Sequence, residues 1–305
     1  LLDTTANLGY TANNRIYTIL NSEDKQKIAA FKVSTRNEKE HVITSCVFDK
    51  QLTLLEKVRV AIQMPDRNDY LGEFGLDNEG TLVFLRESSA AQNESINKVS
   101  LVVKPLGSIN PTVSEVKVKN LFLDDTRIKI DNLNKKILIT SFFSKQKRGN
   151  IDGLYYTLWD KQTGIELLNA TTVFSDEFRA DVRGEGSLKT AFNEFYLKNL
   201  ILRRDGGFMM IAESAYLSSR GNTFNRWDMM NSSPFFNSGF GGMGGFGMGG
   251  FGMGGMGMGF ANPWGPWGMN TMGPNSVTRY FSDNVAIVSF EPDGKMEWSN
   301  VIRKT

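Results

Sequence analysis

Apolar and polar residues alternate with a short period along most of this chain, in runs of five to ten residues separated by Gly, Asp, Asn and Pro. That alternation predicts β-strands joined by tight turns. No stretch carries a 3.6-residue apolar stripe over three turns, so the chain reads as all-β, with a short helix only within Ser175–Phe195. Two kinds of hairpin take turns. The first pairs an apolar run with a very apolar second run, at Gly72–Glu87, Thr126–Phe143 and Lys198–Ser214. The second ends its first strand on an aromatic residue, turns through an acidic one and continues half-polar, at Val42–Val60, Leu154–Leu168 and Val285–Ile302. A weaker copy spans Val99–Val118.

Leu76 and Ile130 hold equivalent places in the first kind, and Phe48 and Trp159 in the second, which gives a repeat of about 55 residues per four-strand unit. The expected fold is therefore a β-propeller of four-stranded antiparallel blades. The four units are Arg15–Ile62, Tyr70–Asn120, Asp124–Phe174 and Phe195–Arg303, forming a single domain over residues 1–305. They fit a closed ring or part of a larger one. A β-sandwich explains the short strands but not the alternation of hairpins. Leu82, Val83, Phe84, Ile137, Leu138, Ile139, Met209, Met210 and Ile211 are expected in buried strands. The turns Asp77–Gly80, Asp131–Lys135, Asp160–Gly164, Asp205–Gly207 and Pro292–Gly294 are short. The long connections, Gln63–Asp69, Ser88–Ile96, Ser175–Glu194 and Gly221–Asn284, belong to one face, where loops on a rigid scaffold carry function.

One segment breaks the pattern. Between Asp228 and Arg279 no residue is charged, and sixteen of the thirty glycines and seven of the thirteen methionines fall between Gly239 and Gly273. Glycine at every second or third position opposes a helix, and no run of about twenty apolar residues is present to cross a membrane. Linkers favour Ser, Thr and charge. This tract repeats Phe and Met instead, which supply adaptable apolar contact. The insertion, residues 221–278, is expected to dock on a large protein partner through Phe240, Met243, Phe246, Met248, Phe251, Met253, Met256, Met258, Phe260, Trp264 and Trp267.

Composition narrows the chemistry. A formal net charge of +2 points to neither nucleic acid nor an acidic partner. The run Lys145–Arg148 reads as a solvated loop. The one cysteine, Cys46, lies in an apolar string and reads as a buried thiol; it excludes an internal disulfide. The one histidine, His41, excludes a His-rich metal site. Asp124 with Asp125, and Asp176 with Glu177, read as solvated turn residues rather than acid–base pairs. The stretch Asp181–Gly186 reads as a surface salt-bridge loop. The Asp–Gly turns lack the spacing of a calcium loop, and the glycines of the tract lack the Lys-Ser/Thr step of a phosphate loop. No catalytic residue, metal or cofactor is assigned. The chain has no initiator methionine, and a segment of a longer precursor is expected.

The hairpin Val285-Ala-Ile-Val-Ser-Phe-Glu-Pro-Asp-Gly-Lys-Met-Glu-Trp298, preceded by Leu202-Arg-Arg-Asp-Gly-Gly-Phe-Met-Met-Ile-Ala-Glu-Ser214, resembles the repeat of bacterial secreted and periplasmic propeller proteins. The Asn/Lys/Ile-rich style together with the apolar tract also resembles the plug-like accessory proteins of type 9 outer-membrane secretion translocons. These resemblances imply a periplasmic or cell-envelope location and a partner such as the mouth of an outer-membrane channel. The expected function is a non-enzymatic binding scaffold. The alternatives are a carbohydrate-binding or hydrolytic propeller with channel-facing carboxylates and a stacking Trp, and an adhesin-like surface protein.

Overall fold

The computed structural model describes residues 17–37, 39–89, 95–147, 149–183, 192–219, 222–223 and 278–304. The chain divides into two compact units, Leu1–Ser88 with Val99–Val116, and Ser89–Lys98 with Lys117–Thr305.

In the first unit, β1 (Thr18–Asn21), β2 (Lys27–Asn37), β3 (Glu40–Asp49) and β4 (Leu54–Gln63) form an antiparallel sheet in chain order. Next come β5 (Asp69–Leu76), β6 (Leu82–Ser89), β7 (Ile96–Lys104) and β8 (Thr112–Val116), again neighbours in order. Their inward residues form one core, in which Phe74 lies 4.6 Å from Phe31 and 4.9 Å from Phe84, ring centre to ring centre. Lys104 is buried there and pairs with Glu56, whose other oxygen accepts the Gly107 N–H at 2.8 Å.

In the second unit, β9 (Phe122–Asp131), β10 (Lys136–Ser144), β11 (Gly153–Asp160) and β12 (Glu166–Val173) lead into a helix, α1 (Asp176–Arg183). Then follow β13 (Phe195–Leu202), β14 (Phe208–Ser219), the two-residue β15 (Asn222–Thr223), β16 (Thr278–Phe290) and β17 (Met296–Ile302). Here β13, β14, β16 and β17 are neighbours in that order, and β15 pairs with the end of β14. The core is aromatic. Phe208 and Phe290, opposite one another in the register, stack at 4.6 Å, and Tyr156 meets both rings. The Tyr156 hydroxyl donates to the Gly294 carbonyl, and a Cβ at Gly294 would collide with that ring. The short helix anticipated within Ser175–Phe195 is α1.

The chain is all-β and antiparallel as expected, but the β-propeller is not what forms. Among the described residues no sheet closes on itself into a ring. Within the second unit, β9–β12 lie side by side in chain order, and Leu123 of β9 pairs with Ile96. Hairpin alternation encodes pairing between strands adjacent in sequence. Closure depends on where distant sheets meet, and no local period specifies that.

The predicted turns do form, by a shared device. Asp77 Oδ1 accepts the Glu79 and Thr81 amides at 2.8 and 2.7 Å, and Asp160 Oδ1 accepts those of Gln162 and Thr163 at 3.0 and 2.7 Å. Asp205 and Asp293 do the same for Gly207 and Lys295. These carboxylates close the turns in the manner of Asx turns. Of the nine residues expected in buried strands, Met209 and Ile211 are half-exposed, because β14 alternates and only Met210 faces the core.

Candidate functional site

All eleven expected partner-binding residues, Phe240 to Trp267, lie outside the described residues. What the structure does describe is the pair of strands from which that segment leaves and returns. β14 and β16 pair from Phe208 with Phe290 out to Ser219 with Thr278. Ser219 and Thr278, the residues that flank 220–277, therefore stand side by side at one end of a two-stranded ribbon.

Two irregularities cluster where this ribbon leaves the sheet. On β16, Asp283 and Asn284 stand opposite Ser214 alone, a β-bulge. On β13, Lys198 is the extra residue of a second bulge, between Leu197 and Asn199. The bulges bring Lys198, Glu213, Ser282 and Lys304 together. Glu213 Oε1 accepts from the Ser282 hydroxyl and the Lys304 ammonium, and Lys198 Nζ lies 3.6 Å from Oε2. Lys304 also donates to Ser282 Oγ at 2.9 Å. Burial raises the pKa of Glu213, but the hydrogen bonds from Lys304 and Ser282 and the attraction of both lysines outweigh it, and the carboxyl sits below the ordinary glutamate value. Lys304 is the donor in both its contacts and Ser282 donates its hydrogen bond to the carboxylate, so the group is an ion-pair network.

Helix α1 is fastened to the same place. Ser175 caps its N-terminus, its Oγ accepting the Phe178 N–H at 3.2 Å. Asp176 and Glu177 thus occupy the first helical turn, where negative charge suits the helix dipole, rather than a loop. Phe178 and Val182 point into the core beside Phe142, Phe174 and Phe192. At the other end, Asn284 Nδ2 donates to the Val182 carbonyl at 2.9 Å, and just before β13 the Glu194 carbonyl accepts the Ala215 N–H at 2.9 Å. Arg179 reaches the carbonyls of Phe174, Ile151 and Asp152 at 3.2, 2.9 and 2.7 Å. The helix thereby ties the bulge of the ribbon to the β10–β11 connection.

A second charged group lies on β9. Asp125 and Thr126 stand opposite Ser141 alone, and Asp125 has a left-handed backbone, φ 59°. Ser141 Oγ accepts the Asp124 N–H at 3.0 Å and donates to the Asp124 carbonyl at 2.8 Å. The Asp125 carboxylate pairs with Arg127 at 2.8 Å and accepts the Leu197 N–H of β13. Asp124 is buried and Asp125 is half-buried in the bulge beside it, on a strand, which corrects the reading of solvated turn residues. The Asp125 carboxylate is committed to an arginine and an amide. A cleft lined by Leu138, Tyr156, Phe208 and Gly294 has room for little more than one water. Among the described residues no three His, Cys, Asp or Glu side chains converge as metal ligands, and no helix is long and apolar enough to cross a membrane.

Sequence reasoning placed the functional region in the insertion and missed its support. Glu213, Ser282, Lys304, Asn284 and Arg179 carry no local signal. Their contacts depend on bulges and on partners far along the chain.

No protein-family model and no curated protein matches the chain. Among solved structures, a cobalt-substituted apocarotenoid oxygenase of Synechocystis superposes at a TM-score of 0.37 and 11% identity, over 64% of this chain and 43% of that one. An exo-β-1,3-galactanase of Phanerochaete chrysosporium superposes at 0.36 and 9% identity, over 65% and 43%. The chain spans less than half the length of either. At these scores neither carries a residue role or an activity across. The expected terms periplasm, outer membrane, secretion and translocon came with a propeller resemblance that the open sheets do not sustain, and they are withdrawn with it.

Proposed function

We propose that this protein is a non-enzymatic binding scaffold that presents residues 224–277 to the apolar surface of a larger protein. The observation behind this reading is the paired root of the insertion. Ser219 and Thr278 are register partners, so a Gly/Met/Phe-rich segment, uncharged from Met229 onward, is carried on two hydrogen-bonded strands of a sheet with an aromatic core. A long insertion held this way is displayed, because the sheet continues beneath it without needing its residues. Phe and Met provide contact area, and glycine lets the backbone follow an irregular partner surface. Asp77, Asp160, Asp205 and Asp293 are engaged in closing turns, and Glu56, Asp125 and Glu213 in ion pairs.

The test is co-purification from detergent-solubilised cells of the source, comparing the intact protein with one in which residues 224–277 are replaced by a short Gly-Ser connection. A partner should be recovered at defined stoichiometry with the intact chain and lost with the shortened one, while both melt alike. A joint substitution Phe240→Ser, Phe246→Ser, Phe251→Ser and Phe260→Ser should reproduce the loss. Equal recovery by all three proteins would overturn the proposal.

A further inference from the structure

The β14–β16 ribbon changes character part-way along. Up to Ser214 it has β13 on one side, the last pair being Phe195 with Ser214. From Val285 inward it has β17 on the other side, the last pair being Val285 with Ile302. Beyond the bulge, among the described residues, Ala215–Ser219 and Thr278–Ser282 form a ladder with each other and, at the tip, with the two residues of β15, and Ala215 also donates to the Glu194 carbonyl. An isolated two-stranded ribbon is marginal in water, whereas the four-stranded part rests on a packed core. The junction is a bulge, which interrupts the ladder and bends a strand. Every described side-chain contact at the junction comes from outside the ribbon or crosses it: Lys304 and Lys198 to Glu213, Ser282 to Glu213, and Asn284 to the end of α1.

From this arrangement we infer that the distal ribbon is a hinged arm that turns about the bulge at Ser214 and Asn284, and that the Glu213–Ser282–Lys304–Lys198 network with the Asn284–Val182 hydrogen bond is the latch that holds it in line with the sheet. Opening breaks an ion-pair network and two hydrogen bonds, that of Asn284 to the last turn of α1 and that of Ala215 to Glu194; it uncovers Ala215 and leaves Phe208, Met210, Ala286, Val288 and Phe290 in place. The arm belongs to the low-stability end of the structure, where moving elements are found. The inference is independent of what the insertion binds.

Hydrogen exchange on the intact chain tests it without a partner. Amides of Ala215–Ser219 and Thr278–Ser282 should exchange well ahead of those of Met209–Ala212 and Ala286–Ser289. In Glu213→Gln, which keeps shape but removes the charge, distal amides should exchange about threefold faster again, with the proximal ones unchanged. Raising salt from about 0.05 to about 0.5 M should speed distal exchange in the unaltered protein and not in Glu213→Gln, because only the former has an ionic latch to screen. Ser282→Ala, the milder change, should act in the same direction. Equal protection along the whole ribbon, uniform acceleration across the sheet, or a salt response that survives Glu213→Gln would each overturn the hinge and latch.

Discussion

Asn284 and Val182 are joined across 102 residues of chain by a hydrogen bond from a side-chain amide to the last turn of α1, at 2.9 Å. Asn284 is buried, so the bond has no ready substitute in water. Asn284→Ala should cost about 1–2 kcal/mol in a denaturant melt and loosen α1 by hydrogen exchange. An unchanged melt with unchanged protection of α1 would show that the contact contributes nothing.

Arg179 makes one guanidinium serve three carbonyls, two of them in the β10–β11 connection. A lysine carries the charge but not the planar fork. Arg179→Lys should therefore lose about 1–3 kcal/mol, close to the loss in Arg179→Ala. Full stability in the lysine variant would mean that charge alone fastens the helix.

Lys104 and Glu56 form a pair whose side chains are 4% and 13% exposed. Removing one partner strands the other. Glu56→Gln should destabilise the first unit by about 3 kcal/mol, and adding Lys104→Met should recover most of it. Additive losses in the double variant would contradict the coupling.

Glu213 sets a pH dependence of known sign. Its folded pKa lies below the ordinary value of 4.5, so the folded state binds fewer protons there than the unfolded chain. Its contribution is complete above that ordinary value and is lost as pH falls through the lower, folded one. Stability measured down through that window should drop more steeply for the unaltered protein than for Glu213→Gln. Parallel curves would place the carboxylate outside the energetics of folding.

In the core, Phe84→Ala and Met210→Ala should each cost about 2–5 kcal/mol, while Ile211→Ala, half-exposed on the same strand as Met210, should cost clearly less. A urea series on the three variants orders them.

The strands and turns were legible in the sequence because their causes are local. An Asp that closes a turn acts on amides two to four residues on, as at Asp77 and Asp160, and alternation names the inward residue of a strand. Ring closure was misread because it is not local. So was Asp125, whose burial follows from Ser141 standing alone opposite it and Thr126, and from an amide on Leu197, 72 residues away. At the root of the insertion the apolar tract drew the eye, but Glu213, Ser282 and Lys304 look like any surface polar residues until the bulge in β16 brings them together.

The left-handed backbone at Asp125 bears on how the second unit assembles. A non-glycine residue at φ 59° is unfavourable by about 1 kcal/mol or more on its own. Its carboxylate is held by Arg127 on the same strand and by the Leu197 amide in a different sheet. The β9 bulge and β13 are therefore expected to acquire order together. Heating should melt β9–β12 and β13–β17 in one cooperative transition, with the bulge among the last features to form on refolding.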